Sequence, residues 1–442
     1  MTWHIVCLAG PNDHFAPRTA MGDAVLTVPF DVPGHPDTLQ SSVSDVLATA
    51  GLTPPDAAHD LLRAAIGAYT GDVRIDRNNT FDRWTRDLIL HLPVQSPRWA
   101  GGAPHLERLL AFLTGDRWRV QIRPAPEAYQ PAMGRVVGRP MSVDAETVSL
   151  FSGGLDSYIG ALDALWGSNS QVALIGHHAA GQGPTSRAQD HAIAALRTMY
   201  SEARAPFLQF WVSPPKGPGW TSESTTRGRS ILFLALGVAV ASSRARARLV
   251  VPENGFISLN VPLTPARLGS FSTRTTHPHL VALLRDLVAE LHLDSAIELP
   301  YRHKTKGEIL TKCANADALS QGIPATMSCA HSSAGRFGEA RDPNLHCGYC
   351  VPCLIRRSAI AHWGADSTPY AYPDLRAPLT PGRGADLRAF RLALDRYAAQ
   401  PPRITDVLLP GPLPGTREER DAYLAVFRRG LAEVRAFLDS AA

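Results

Sequence analysis

The stretch Val148-Ser149-Leu150-Phe151-Ser152-Gly153-Gly154-Leu155-Asp156-Ser157 decides how the chain is read. Val148 to Phe151 read as a short buried strand that runs straight into two adjacent glycines. Ser157 to Trp166 then read as a helix, with Ile159, Leu162 and Trp166 on one side. A strand, a glycine turn and a helix start together make an anion site. Gly153 and Gly154 leave backbone N–H groups uncovered, and the helix that opens near Asp156 adds its positive end. Ser152 and Ser157 add hydroxyl donors for phosphate oxygens. The Asp156 carboxylate can hold the magnesium that accompanies a nucleotide triphosphate, or orient the loop. The Gly-Lys-Ser/Thr ending of a Walker A loop is missing, so the site is of another kind.

Strands and helices alternate outward from the loop. Val172–Gly176 reads as a continuous apolar strand, Ser186–Tyr200 as a helix, Phe207–Val212 as a strand, Arg229–Ser242 as an apolar helix and Leu249–Val251 as a strand. Such alternation predicts an α/β fold with a parallel sheet covered on both faces. Ligands in these folds sit at the carboxyl ends of strands. Residues 1–143 read as a separate α/β unit for recognition or packing. Its strands are Trp3–Leu8, Ala24–Pro29, an alternating Asp87–Val94 and Trp118–Ile122. Its helices are Val43–Tyr69, broken near Pro54-Pro55, and His105–Leu113. Arg123–Pro140 suits a linker. Residues 144–365 form the catalytic segment, and 366–442 a helical extension. The last helix opens on a capping box, Thr416 with Glu419. Leu424, Phe427, Leu431, Val434 and Leu438 follow on one face. Arg417, Arg420, Arg428 and Arg435 lie on the other faces and read as solvated.

Composition narrows the class. The chain has 442 residues, 45% hydrophobic and 19% charged, which fits a globular protein of more than one domain. A net charge of +4 argues against general nucleic-acid binding. The N-terminus lacks a signal-type segment, and the longest apolar stretch, Ile231–Ala241, is too short to span a bilayer. A cytoplasmic protein without a membrane partner is expected. Of the 44 basic residues only Lys216, Lys304, Lys306 and Lys312 are lysines. Three of them fall close together, which marks Lys306 as a place where a compact ammonium is required.

Cys329, Cys347, Cys350 and Cys353 form C-x17-C-x2-C-x2-C. Two-residue gaps let thiolates converge on one ion, and four thiolates make a closed, structural zinc site. An iron–sulfur cluster is the alternative occupant. His331 and His346 flank the cluster and read as neighbours, not ligands. Cys7 and Cys313 read as ordinary thiols.

At this point the chain resembles the PP-loop ATP pyrophosphatase superfamily, whose pattern is Ser-Gly-Gly-x-Asp-Ser. With the downstream cysteines it looks like the 7-cyano-7-deazaguanine synthase, or QueC-like, family. Thr226-Arg227-Gly228-Arg229-Ser230-Ile231-Leu232-Phe233-Leu234 resembles that family's Gly-Arg-Asn-Leu-x-Phe-Leu helix start, with Ser230 in place of asparagine. Lys304-Thr305-Lys306-Gly307-Glu308 resembles its Thr-Lys-x-Glu element, and Cys347-Gly-Tyr-Cys350-Val-Pro-Cys353 its Cys-Gly-x-Cys-x-x-Cys. The resemblance covers residues 146–362. Two departures stand out: Gly176-His177-His178 replaces a tyrosine-containing segment, and the chain carries extra residues at both ends. The longer architecture, with Glu253-Asn254-Gly255-Phe256-Ile257-Ser258-Leu259-Asn260, resembles QueC-like proteins of bacterial anti-phage operons, the Qat type and its CBASS-associated relatives.

The resemblance implies a HUP-like, Rossmann-like catalytic domain that splits ATP into AMP and pyrophosphate with magnesium. Ser152, Gly153, Gly154, Leu155, Asp156 and Ser157 would bind ATP. Asp156, Ser157, Lys306 and Arg229 would be catalytic, with Lys306 or Arg229 meeting the developing phosphate charge. Glu253, Asn254 and His178 would bind substrate, and His177 or His178 would assist proton removal from an amine. The implied substrate is 7-carboxy-7-deazaguanine, activated at its carboxylate. The implied acceptor is the amino terminus of a protein partner encoded in the same operon. Three other outcomes stay open: a nitrile synthase using ammonia, a tRNA-thiolating enzyme, and a nucleotide-sensing scaffold without turnover.

Overall fold

The structure, a computed structural model, describes the chain except residues 33–37, 128, 168, 216–222, 224–226, 265–273, 333, 338–341, 343–344, 378 and 442. Lys216 and Thr226, named above, lie outside the described residues.

Two sheets organise the molecule. The first has the order β2-β1-β4-β5, built from β1 (Thr2–Ala9), β2 (Ala24–Phe30), β4 (Asp87–Val94) and β5 (Arg117–Pro124), all parallel. The second has the order β10-β9-β6-β7-β8-β3. Its members are β3 (Gln40–Ser41), β6 (Thr147–Leu150), β7 (Val172–Ala179), β8 (Phe207–Ser213), β9 (Arg248–Val250) and β10 (Ala296–Glu298). All its pairings are parallel except that of β3, which runs antiparallel to β8.

Helices fill the space between and around the sheets. Between them lie α1 (Val43–Thr49), α2 (Asp56–Arg74), α3 (Trp99–Thr114), α6 (Arg227–Ser242) and α8 (Pro278–Glu290). The far face of the second sheet is covered by α4 (Leu155–Leu165) and α5 (Pro184–Arg197). Short α7 (Gly255–Ser258), α9 (Lys306–Thr311) and α10 (Ala316–Gly322) follow the strand ends. A C-terminal group comprises α11 (Val351–Trp363), α12 (Ala385–Ala399), α13 (Ile404–Leu408) and α14 (Arg417–Ser440).

The apolar pattern explains these placements. α2 is buried along nearly all its length because it is pressed between the first sheet and α6. The expected apolar stretch Ile231–Ala241 is the middle of α6, and its all-round hydrophobicity reflects burial within the protein. No described helix is long and apolar enough to cross a membrane. One continuous core runs from Ile5 and Leu90 through Leu61 and Leu236 to Leu249 and Leu284. The expected separateness of residues 1–143 therefore does not extend to the core, and β3 reaches across to pair with β8.

A buried ion network welds the two halves. Arg86 Nη2 donates to Asp72 Oδ1 at 2.7 Å and to Asp116 Oδ2 at 2.6 Å, with all three side chains excluded from solvent. The other oxygen of Asp72, Oδ2, accepts the Gly228 N–H of α6 at 2.7 Å, so a residue of α2 caps the start of α6.

Three expectations change. Asp87–Val94 is buried on both faces, because β4 is a central parallel strand and its alternation in sequence carries no solvent face. Trp166 follows the end of α4 and is 54% exposed, since the chain turns at Gly167 with φ +65°. Arg428 is exposed as expected and Arg435 is half-buried, but both do more than face solvent: they donate to the carbonyls of Pro402 and Leu394 and fasten the C-terminal helices.

Candidate active site

The second sheet reverses its order at β6: β7 lies on one side of it and β9 on the other. The strand ends splay at such a switch point and leave a crevice. A cavity of about 400 Å³ opens there, walled by the loop after β6, the end of β7, the segment after β9, the start of α6 and residues 327–330.

The loop has the geometry its sequence calls for. Gly153 has φ +81°, and a Cβ there would sit 2.7 Å from the Ala188 carbonyl carbon of α5, so only glycine fits. Gly154 is the N-cap of α4 and has no side chain to cap it, so the first helical N–H, of Leu155, is met from outside the helix. The Ser157 hydroxyl donates to Gly154 O at 2.8 Å and lies 3.3 Å from the Ser152 hydroxyl. The Leu155 side chain belongs to the core under α4; only its backbone faces the loop.

Asp156 is the centre of a charged cluster. Its Oδ1 accepts from the Lys306 ammonium, and its Oδ2 accepts from Asn254 Nδ2 at 2.6 Å. Glu253 hydrogen-bonds the same carboxylate. Burial opposes ionisation of Asp156, but the Lys306 charge and these hydrogen bonds outweigh it, and its pKa lies below the usual carboxylate range. For Glu253 burial comes first and the Asp156 charge second. Both push its pKa well above the usual range, so it holds a proton where Asp156 does not. Lys306 opens α9, whose capping box of Thr305 and Glu308 fixes where the ammonium enters.

The other expected substrate residues are placed differently. Asn254 is fully buried, caps α7 by accepting from Ile257 N–H at 3.1 Å and spends its amide on Asp156; it is not in the cavity wall. His178 turns away, with Nδ1 2.6 Å from Ala179 O, and its neighbour His177 lines the cavity instead. Arg229 does face the cavity, and its guanidinium grips the His177 carbonyl at 2.8 Å.

The four cysteine sulfurs lie within 4.8 Å of one another. Cys347 and Cys353 Sγ are 3.8 Å apart, and Cys329 and Cys350 Sγ are 4.0 Å apart. Thiolates about 2.3 Å from a tetrahedral zinc would be spaced about 3.8 Å apart, so the set fits that ion. His346 is not a ligand: its Nε2 accepts the Ser328 N–H at 3.1 Å. His331 is exposed beside Tyr349.

The cluster reaches the loop through a segment that the sequence did not flag. Met327 N–H donates to Gly153 O at 2.8 Å, and the Ser328 hydroxyl accepts from Leu155 N–H at 3.2 Å. The thiol site and the Ser152–Ser157 loop thus share one wall of the cavity.

No family model matches the chain, and no solved structure matches it. The chain is similar to a 7-cyano-7-deazaguanine synthase. The relative is 7-cyano-7-deazaguanine synthase 1 of Sphingopyxis alaskensis, 30% identical over 148 residues, an alignment that covers 32% of this chain. The chain spans 57% of that relative's length. Together with the clustered cysteines, this similarity supports the PP-loop, QueC-like resemblance at the level of the superfamily.

Besides Phe233 of the α6 helix-start motif, the cavity is lined by Ser328, Thr275 and Thr276, which were missed in the sequence. No local motif marks them. Thr275 is tied to α6 through the Ser230 hydroxyl at 2.8 Å, a contact between segments far apart in the chain.

Proposed function

We propose that this chain uses ATP to adenylate the carboxylate of 7-carboxy-7-deazaguanine, releases pyrophosphate and passes the acyl group to an amine. The observation that carries the reading is the single cavity in which the Ser152–Ser157 loop, the Asp156–Lys306 pair and Arg229 face one another. The carboxylate oxygen attacks the α-phosphorus, and the bond to the β-phosphate oxygen breaks. AMP is then a far better leaving group than oxide when an amine attacks the acyl carbon, and the amine gives up a proton as the amide forms.

Each residue has a task in this reading. The loop amides and the Ser152 and Ser157 hydroxyls hold the phosphates. Asp156 is the residue that would hold magnesium, which supplies charge for the triphosphate. Lys306, released from Asp156, meets the charge on departing pyrophosphate, and Arg229 meets the carboxylate or the α-phosphate. Asn254 keeps Asp156 aimed and does not touch substrate. Glu253, uncharged, gives its one proton to the hydrogen bond with Asp156 and has acceptor capacity left for the cavity it lines.

The acceptor we favour is the amino terminus of a protein partner, in the manner of the anti-phage QueC-like proteins, in the cytoplasm. Residues 1–143 and 366–442 support it, because ammonia needs no docking surface. The name of the similar synthase favours the second reading, with ammonia as nucleophile and a nitrile as product. Mass spectrometry separates them: a deazaguanine adduct on a co-encoded protein, or free nitrile. The common first half is tested by pyrophosphate release from ATP with 7-carboxy-7-deazaguanine. The wild type should release it, and Asp156→Asn, Ser152→Ala and Lys306→Met should lose about 100-fold or more in rate. Undiminished release by Asp156→Asn would remove the loop from the chemistry.

A further inference from the structure

His177 is buried to 1% exposure, lines the cavity, and has no hydrogen-bond partner at either ring nitrogen among the described residues. Native interiors leave few polar groups in that state, and each one calls for a cause. Two other histidines have one buried ring nitrogen without a partner among the described residues, and each is half engaged through the other. His277 Nδ1 accepts from His279 N–H at 3.2 Å, and His303 Nε2 accepts from Arg302 Nε at 3.1 Å. Neither borders the cavity.

The ring of His177 is held in place without being hydrogen-bonded. Tyr69 of α2 packs edge-on against it with centroids 6.2 Å apart, and Arg229 fixes the backbone carbonyl. Burial first, then the positive charges of Arg229 and His178, lower its pKa to about 3. The imidazole is therefore neutral at ordinary pH, with one N–H donor and one lone pair. A neutral ring gives little to a phosphate, and the phosphates have their own donors at the loop and Lys306. An uncharged planar edge with donor and acceptor atoms is the group it suits.

We propose that His177 recognises the ring edge of the substrate's nitrogen heterocycle, on the side of the cavity formed by Arg229, Ser230 and Phe233 of α6. It acts as a specificity residue and not as the base that takes the amine's proton. The proposal rests on the reading of the substrate as a deazaguanine carboxylate. It also gives the N-terminal segment a part in the site, since Tyr69 supports the ring.

Calorimetry with 7-carboxy-7-deazaguanine and, separately, ATP tests it. His177→Phe keeps the ring's bulk and removes both nitrogens. It should weaken binding of the deazaguanine by about tenfold or more, the cost of leaving one polar edge unpaired. ATP affinity should stay within about twofold of the wild type, and the pH profile of pyrophosphate release should keep its shape. His177→Asn, which restores a donor and an acceptor, should bind with intermediate affinity, and it decides the matter if the phenylalanine variant does not fold. Unchanged deazaguanine affinity in both variants overturns the proposal while leaving the adenylation reading intact. A lost limb in the pH profile overturns it in favour of proton transfer. A wild type that does not bind the deazaguanine at all removes the substrate reading and this inference with it.

Discussion

Glu253 shows how one residue changes meaning between sequence and structure. Its position just past a strand end suggests an ionised carboxylate facing a substrate. The structure sets it against Asp156, where burial and the neighbouring charge keep it protonated. That arrangement has a signature in stability. An unfolded Glu253 loses its proton above its ordinary value of 4.5, whereas the folded one keeps it to well above that. Between those limits the native state holds the extra proton, so this side chain's contribution weakens as pH rises. Glu253→Gln has no proton to lose and still offers Asp156 a donor. Its melting temperature should match the wild type near about pH 4 and exceed it increasingly toward about pH 8. A difference that stays constant across that range would mean that Glu253 is ionised in the folded protein.

Elements carry the same chemistry at the next scale, because helix starts place the charged groups. Two capping boxes make a controlled comparison. Thr416 caps α14, a long helix whose Val426, Phe427, Leu431 and Val434 pack in the C-terminal core. Thr305 caps α9, whose first residue is Lys306, and its hydroxyl also donates to Glu433 of α14. Thr416→Ala should cost about 1 kcal/mol in denaturant unfolding and leave pyrophosphate release unaltered. Thr305→Ala should lose stability and rate together, because the ammonium loses its fixed entry point. Equal effects of the two changes on rate would show that capping of α9 does not position Lys306. The Thr416/Glu419 box was read from the chain; the box at Thr305/Glu308 and the link through Glu433 came from the structure.

Across the whole molecule the cysteine cluster joins parts that are otherwise separate. Cys347, Cys350 and Cys353 belong to the same apolar core as α12 and α14. Cys329 sits on the segment that clamps the Ser152–Ser157 loop. Zinc bound there would hold the C-terminal helices and the cavity wall as one body. Chelation should therefore lower the melting temperature and weaken ATP binding at the same time, with about one zinc released per chain by metal analysis. Iron with visible absorption, or ATP affinity unchanged in the stripped protein, would overturn the zinc assignment.

What the sequence determined by itself were the local devices: the Ser152–Ser157 loop between strand and helix, the cysteine spacing, the cap at Thr416, and most of the strands. Each depends on residues within a few positions, where backbone geometry and side-chain type leave little freedom. Only the tertiary structure decided which of His177 and His178 faces the cavity, that Asn254 serves Asp156, and that Ser328 and Thr275 complete the wall. Neighbouring residues at a strand end point to opposite sides, and nothing local says which side holds the crevice. The joining of residues 1–143 to residues 144–365 was equally hidden. It depends on Asp72 meeting Gly228 at 2.7 Å, a contact between residues more than 150 positions apart that no periodicity encodes.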